Sequence, residues 1–150
     1  NLSEILLNGI NVENKIRSRK VSQYVSKISQ IPEVRNKLIK IQQKISENKN
    51  VVMDGRDIAT IVMPNADLKF FITADIKTRA RRRFDELKSV DEEITYSDVL
   101  NNLNERDSDD MKRKHNPLIK ADDAIVIDNT SLNFAQQNEL IFRYIEDAKS

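Results

Sequence analysis

The sequence contains no cysteine and a single histidine, His115. Without cysteine there can be neither a disulfide nor a thiolate metal site, and one histidine leaves metal clusters and Ser-His triads incomplete. No stretch approaches the roughly eighteen consecutive apolar residues that a membrane helix needs, and no charged-then-apolar leader is visible. We therefore expect a cytoplasmic protein with no membrane partner and no side chain bound directly to a metal.

Neither sign of charge dominates, since 25 Lys and Arg residues face 24 Asp and Glu residues and the formal net charge is +1. A dedicated nucleic-acid binder usually has a clear basic excess, because neutralising phosphates drives its affinity. The balance therefore argues against a nucleic-acid partner. The length of 150 residues suits one compact domain with a small insertion.

Glycine and proline are also scarce, with two and three residues, so each is informative about local structure. Asn8-Gly9 predicts a tight turn between two short strands. Helical spacing of apolar residues predicts a helix around Val25 and another that begins at Pro32 and ends near residues 48–50. Beyond residue 50, apolar runs without alternation predict strands that are buried on both faces. They are Val51–Met53, Leu68–Thr73 and Ala124–Asp128.

Helical patterns separate and follow these strands, at about Ile76–Lys88, Ser97–Arg113 and Phe134–Ala148. Strands that alternate with helices predict an α/β fold, with a parallel sheet flanked by helices. Because three strands make a thin sheet, we expect a partner strand before Asn1.

The second of these helical patterns carries charge along what begins as an apolar face. Thr95 and Asp98 are spaced as in a capping box, with Asp in place of the usual Glu. The positions that then share one face, at steps of four and three, are Val99, Leu103, Arg106, Asp110 and Arg113. An exposed helix end with ordinary ion pairs explains this pattern, and so does an inward-facing site for an anionic ligand with hydroxyl groups.

The apolar run 51–53 leads directly into Asp54-Gly55-Arg56-Asp57. In open parallel sheets, ligands bind beyond the carboxyl ends of the strands. Gly55 would allow a close backbone approach there or a positive φ. The alternative is a polar turn without a ligand.

Four arginines occur within residues 79–83. They cannot all lie on one helix face, although Arg79 and Arg83 share a face at the four-residue spacing. The run could form solvated surface, a nucleic-acid patch, or the positive charge that a phosphoryl-transfer enzyme places around its transferred group.

Several motifs resemble those of the bacterial cytidylate kinases. Residues 54–66, DGRDIATIVMPNA, resemble the family's DGRDIGTVVFPDA, with Ala59 where the family usually has glycine. Residues 105–110 with Arg113 resemble its ERDxxDxxR, and residues 116–130 resemble its PL…ADDAIVIDTT. Residues 16–35 are similar to its IR…VS…S…PxVR. The resemblance implies a P-loop nucleoside monophosphate kinase fold, with a monophosphate-binding insertion at 1–49, a kinase core at 50–150 and a helical lid at about 77–116.

The resemblance implies that ATP, with Mg²⁺, donates its γ-phosphoryl group to CMP or dCMP in pyrimidine nucleotide metabolism. Asp57 would accept a hydrogen bond from the cytosine amino group, and Asp110, assisted by Arg106, would hold the sugar hydroxyls. Arg56 would hold the acceptor phosphate. The other residues of the substrate site would be Ser26, Arg35, Gly55 and Arg113.

The resemblance also implies that arginines offset the charge of the transferred group beneath the lid. These would be Arg56, Arg79, Arg82, Arg83 and Arg106. Asp54 would help to order the water shell of Mg²⁺, and the loop at Asp128–Ser131 would lie near the adenine.

The family begins with a strand and a phosphate-binding loop that ends in Gly-Lys-Ser/Thr, and no such loop occurs in these 150 residues. We therefore expect Asn1 to be an internal residue of a longer product and the 150-residue chain alone to be inactive and monomeric. The alternatives are a remnant that binds CMP without transferring phosphate, an RNA-binding module built on residues 79–83, and a related adenylate or uridylate kinase.

Overall fold

A computed structural model describes residues 4–16, 19–47, 49–89, 92–113 and 116–149. The chain divides into two compact units, Asn1–Gln42 and Gln43–Ser150. The assignment of residues 1–49 to a monophosphate-binding insertion stays a prediction.

The first unit begins with the predicted hairpin. Strands β1 (Leu6–Leu7) and β2 (Ile10–Asn11) pair antiparallel. Asn8 and Gly9 between them have φ of 51° and 81°, as a tight primed turn requires, so this prediction is confirmed. The helices of this unit are α1 (Glu13–Ile16), α2 (Arg19–Ile28) and α3 (Pro32–Ser46). Of these, α1 was not predicted, whereas α3 begins at the expected proline and ends near the expected residues.

The second unit contains a parallel strand pair, as predicted. Strands β3 (Phe70–Thr73) and β4 (Ile125–Asp128) lie in register from Phe70 opposite Ile125 to Thr73 opposite Asp128. The connection between them includes α4 (Ile76–Lys88) and α5 (Tyr96–Lys112), which pack against each other. Helix α6 (Phe134–Asp147) follows β4, and a π-helix (Ile58–Val62) precedes β3. The predicted α/β class and the order of its helices are confirmed.

The predicted strand at Val51–Met53 is wrong. These residues adopt no regular structure, and Val52 is 99% exposed. A β-strand forms where its backbone is hydrogen-bonded to a neighbouring strand. In the described ranges of the second unit, the only such pairing joins β3 to β4. The apolar run Val51–Met53 therefore has no ladder partner in this structure.

Side-chain caps fix where the helices of the second unit begin. Asp75 accepts hydrogen bonds from the backbone N–H of Thr78 and of Lys77, and these bonds lower the pKa of its carboxyl. Thr95 and Asp98 form the predicted capping box at α5, with bonds in both directions. A carboxylate or hydroxyl at these positions satisfies amide groups that a helix leaves without partners.

The core of the second unit is small. Its buried apolar residues in the part that the structure describes are Val62, Ala80, Val99, Ala124 and Ile127. Lys69 is buried as well, and its Nζ donates to the Pro64 carbonyl at 2.5 Å and to Asp123 Oδ2 at 2.6 Å. This lysine joins the segment before β3 to the segment before β4. No helix in the described ranges is both long and apolar enough to cross a membrane.

The bond between Lys69 and Asp123 predicts a pH-dependent contribution to stability. The hydrogen bond from Lys69 is the largest cause of a lowered pKa at Asp123. A carboxyl with a lowered folded pKa stabilises the fold above its unfolded pKa, and the contribution is lost as pH falls through the folded value. Asp123→Asn is therefore expected to lower the urea midpoint of the complete gene product at pH 7 and to matter less near pH 3. An equal difference at both pH values would contradict this assignment.

Candidate functional site

The carboxylate of Asp110 links two of the sequence motifs. Asp110 lies in the last turn of α5 and is 7% exposed. Its Oδ2 accepts from Arg56 Nε at 2.9 Å, and its Oδ1 forms an ion pair with Arg113. Its backbone carbonyl accepts from the amide of Leu118 at 2.8 Å. The turn at 54–57, the end of α5 and the segment after it therefore meet at one buried carboxylate.

The charged stripe on α5 lies partly inside the protein, as one of its two explanations required. Val99 and Asp110 are buried, Leu103 is half-buried, and Arg106 is exposed. Arg113 is the C-cap, outside the helix, but its side chain is only 12% exposed. Two charged groups that are this well shielded interact more strongly than an ordinary surface pair.

Asp57 is 9% exposed and directly precedes the π-helix. Its carbonyl accepts from the amide of Val62 at 3.2 Å, and the next wide bond joins Met63 to Ile58 at 2.7 Å. The Asp57 carboxylate does not cap this helix. Single π-helical turns occur frequently at functional sites, and this one fixes the backbone of a buried carboxylate beside Arg56.

Gly55 is required for a close approach and not for its backbone conformation. Its φ is not positive, so the predicted use of Gly55 for a positive φ is wrong. A Cβ placed on Gly55 would lie 2.8 Å from Cγ1 of Ile58, closer than carbon atoms tolerate. The glycine therefore lets the turn at 54–57 fold back against the first residue of the π-helix.

Positive charge concentrates next to the Asp110 carboxylate. Partial burial is the largest cause of a lowered pKa at Arg106, and the guanidinium groups of Arg56 and Arg83 lower it further. Asp107 acts in the opposite direction. Arg56 from the 54–57 turn and Arg83 from α4 therefore both act on the charge of Arg106 on α5, an arrangement that favours an anionic ligand.

The arginines of residues 79–83 make different contacts and do not share one basic face. Arg79 forms a fork onto Asp107, and Arg83 pairs with Glu86 at 2.9 Å. Arg81 lies over the ring of Tyr96, with its guanidinium carbon 5.1 Å from the ring centre. Arg82 donates to the side chain of Asn129 and to backbone carbonyls of the loop after β4. No residue pattern predicted that Asp107 and Asn129 take part in these contacts.

The loop after β4 has its own internal hydrogen bonds. Asp128 Oδ1 accepts from the hydroxyl of Thr130 at 2.5 Å and from its amide at 2.9 Å, and these bonds lower the pKa of Asp128, the hydroxyl most. Thr130 Oγ1 also accepts from the amide of Asp75. This loop is therefore joined to the N-cap of α4 through Asp75 and to the second turn of α4 through Arg82.

Three further predicted site residues are Asp54, Arg35 and Ser26. Asp54 is exposed, and no group of three or more potential metal-ligating side chains occurs in the described ranges. Arg35 lies in the first unit, where its NH1 donates to the Ser29 carbonyl at 3.3 Å. The side chain of Ser26 lies outside the described part of the structure.

Comparison with known proteins gives one consistent result. A family model described as cytidylate kinase matches residues 1–147. Curated proteins named cytidylate kinase are 50% identical over 145 residues in Flavobacterium johnsoniae, 49% over 141 residues in Caldanaerobacter subterraneus and 47% over 143 residues in Fusobacterium nucleatum. The alignments cover 97%, 94% and 95% of this chain but 63%, 63% and 66% of those proteins. The chain thus spans less than two thirds of the length of these relatives.

Proposed function

The chain belongs to the cytidylate kinase family, and from that premise we propose that the whole protein transfers the γ-phosphoryl group of ATP to CMP or dCMP. The products are CDP or dCDP. The observation that carries this proposal is the pairing of buried Asp110 with both Arg56 and Arg113. It joins the two motifs that the resemblance assigns to one nucleotide.

Base recognition is assigned to Asp57 and Arg113, with Ser26 and Arg35 from the first unit. Cytosine presents an amino donor at C4, whereas uracil presents a carbonyl oxygen there. A buried carboxylate accepts from the amino group and repels the carbonyl, so UMP binds with an unsatisfied pair of acceptors. The low exposure of Asp57 supports this role, because water cannot easily screen the mismatch.

The sugar and phosphates are assigned to the Asp110 carboxylate and the neighbouring arginines. Asp110 accepts from the sugar hydroxyls while its two ion pairs hold it in place. Arg56 contacts Asp110 through Nε, so its terminal N–H groups remain for the acceptor phosphate. Arg83 and Arg106 add positive charge where the transferred group becomes more anionic. The same cluster also raises the local concentration of anionic substrates.

Mg²⁺ is assigned to the ATP phosphates, since it usually retains several waters and takes few protein ligands. A lone exposed carboxylate at Asp54 fits the holding of such a water and does not fit a closed cage. When bound, the ion offsets charge on the β- and γ-phosphates.

The ATP-cradling loop is proposed to lie in a part of the protein that these 150 residues do not contain. A cytoplasmic location, a monomeric state and inactivity of the isolated 150-residue chain stay predictions. The dispersed contacts of residues 79–83 do not favour the RNA-binding alternative, because three of these arginines already hold protein acceptors.

A nucleotide panel tests the proposal. The complete gene product, with ATP and Mg²⁺, is expected to phosphorylate CMP and dCMP with kcat/KM at least about a thousandfold above that for UMP, because the site is built to hydrogen-bond an amino group. AMP and GMP serve as further acceptors. A protein that binds CMP without forming CDP would support the remnant alternative, and equal use of UMP would contradict the assignment of Asp57.

A further inference from the structure

All three nitrogen atoms of the Arg79 guanidinium group donate hydrogen bonds within the protein. NH1 donates to Asp107 Oδ1 at 3.2 Å, NH2 to Asp107 Oδ2 at 2.6 Å, and Nε to the carbonyl of Ala74 at 3.1 Å. Ala74 directly follows β3, and Asp107 lies on α5. One side chain of α4 therefore holds both the end of β3 and the neighbouring helix, in the forked geometry that only arginine provides.

Arg79 and Asp107 both lie close in sequence to members of the arginine cluster, which consists of Arg56, Arg83 and Arg106. Arg79 lies one helical turn before Arg83 on α4, on the same face. Asp107 follows Arg106 directly on α5. A change in the register of α4 against α5 would therefore alter the distance between Arg83 and Arg106, whose positive charges oppose each other.

Such a restraint matters because Arg56 and Arg83 both act against the charge of Arg106. Partial burial is the largest cause of the lowered pKa of Arg106, the positive charges of Arg56 and Arg83 lower it further, and Asp107 raises it. The Phe84–Tyr96 ring contact, with centroids 6.3 Å apart, fixes α4 near the start of α5. The Arg79–Asp107 fork holds a second point further along α5, and two points define the angle between the helices.

We propose that Arg79 and Asp107 form a positioning pair that keeps Arg83 and Arg106 side by side for the phosphoryl groups. Arg79 thus acts through other arginines, whereas the family resemblance implied that it offsets the charge of the transferred group itself. This inference rests on the proposed kinase function only for the identity of the anion. The prearranged cluster itself is a property of the described residues, and it can be tested with a simple anion.

The test compares four variants of the complete gene product: Arg79→Lys, Asp107→Asn, Asp107→Arg, and the charge exchange Arg79→Asp with Asp107→Arg. We expect Arg79→Lys and Asp107→Asn to lower kcat about tenfold or more while KM for CMP changes less than about threefold, because the base and sugar contacts remain. The charge exchange should recover at least tenfold of the kcat that Asp107→Arg loses. Arg143→Lys, in an exposed pair with Glu139 on α6, is the matched control and should leave kcat unchanged.

A second readout separates this proposal from the proposed function. Affinity for inorganic pyrophosphate, measured by calorimetry, should fall about tenfold in Arg79→Lys and return in the charge exchange, whether or not the protein phosphorylates CMP. Circular dichroism at the assay temperature confirms that each variant is folded. Wild-type pyrophosphate affinity and kcat in Arg79→Lys would overturn the proposal. A folded charge exchange no better than Asp107→Arg would overturn it too, since Arg79 would then contact the anion itself. Absence of CDP formation by the wild-type protein would instead refute the kinase function.

Discussion

Arg113→Ala is expected to lower kcat/KM for CMP about a hundredfold to a thousandfold in the complete gene product. A hydrogen bond that involves a charged group contributes about 1.5–3 kcal/mol, and each 1.4 kcal/mol is a tenfold change. The truncation removes the base contact assigned to Arg113 and also releases one side of the Asp110 carboxylate that is assigned to the sugar. Asp110 keeps its bond to Arg56, so its position is lost only in part.

The size of this loss should depend on the forked geometry and not on charge alone. Arg113→Lys keeps the charge but cannot form the same planar contacts, so we expect a loss of about tenfold or more. Steady-state kinetics with CMP at saturating ATP measures both variants, and Arg143→Ala on α6 provides an arginine truncation in an exposed pair. Arg113→Ala with near-normal kinetics would remove Arg113 from the nucleotide site.

Asp57→Asn is expected to change which pyrimidine the protein accepts. A hydrogen bond to a charged group contributes about 1.5–3 kcal/mol, so kcat/KM for CMP should fall about tenfold to a hundredfold. The new amide can donate to the carbonyl of uracil, so UMP should lose little or improve. We therefore expect the ratio of CMP to UMP use to fall at least about tenfold.

The measurement is kcat/KM for CMP and for UMP in the wild-type protein and in Asp57→Asn. Asp85→Asn on the exposed side of α4 removes a carboxylate of the same size and charge and should leave the ratio unchanged. A parallel decrease for both nucleotides would mean that Asp57 supports the fold or the chemistry and does not read the base.

The helices could be predicted from the sequence because local chemistry fixes their ends. Asp75 and Thr95 cap the helices that follow them, and Pro32 occupies the first turn of α3. The hairpin turn was equally local, since Asn8-Gly9 tolerates the positive φ values that the turn needs. In each case, the deciding interaction spans no more than a few residues.

Features that depend on distant partners could not be predicted in the same way. The apolar run Val51–Met53 is that of a strand, but a ladder partner decides whether a strand forms, and nothing within the run identifies one. The π-helix after Asp57 was missed because a single π-helical turn is too short to produce a periodic pattern of apolar residues. No local residue pattern distinguishes it from a turn.

The candidate site, too, could be predicted from the sequence only where its contacts are local. The motif spacing predicted that Arg106 and Asp110 share one helix face, and the resemblance joined this face to the turn at 54–57. Neither could predict that Arg79 forms a fork onto Asp107 or that Arg82 holds the loop at Asn129, because long side chains choose partners across 28 and 47 residues of sequence. Only the folded structure shows which partners each arginine contacts.

A crystal structure of the complete gene product with CMP would test most directly whether two motifs serve one nucleotide. We expect the cytosine to lie within hydrogen-bonding distance of Asp57 and Arg113, the sugar hydroxyls at Asp110, and the phosphate at Arg56. CMP bound elsewhere, with the Asp110 carboxylate still enclosed by its two arginines and touching no part of the ligand, would contradict it.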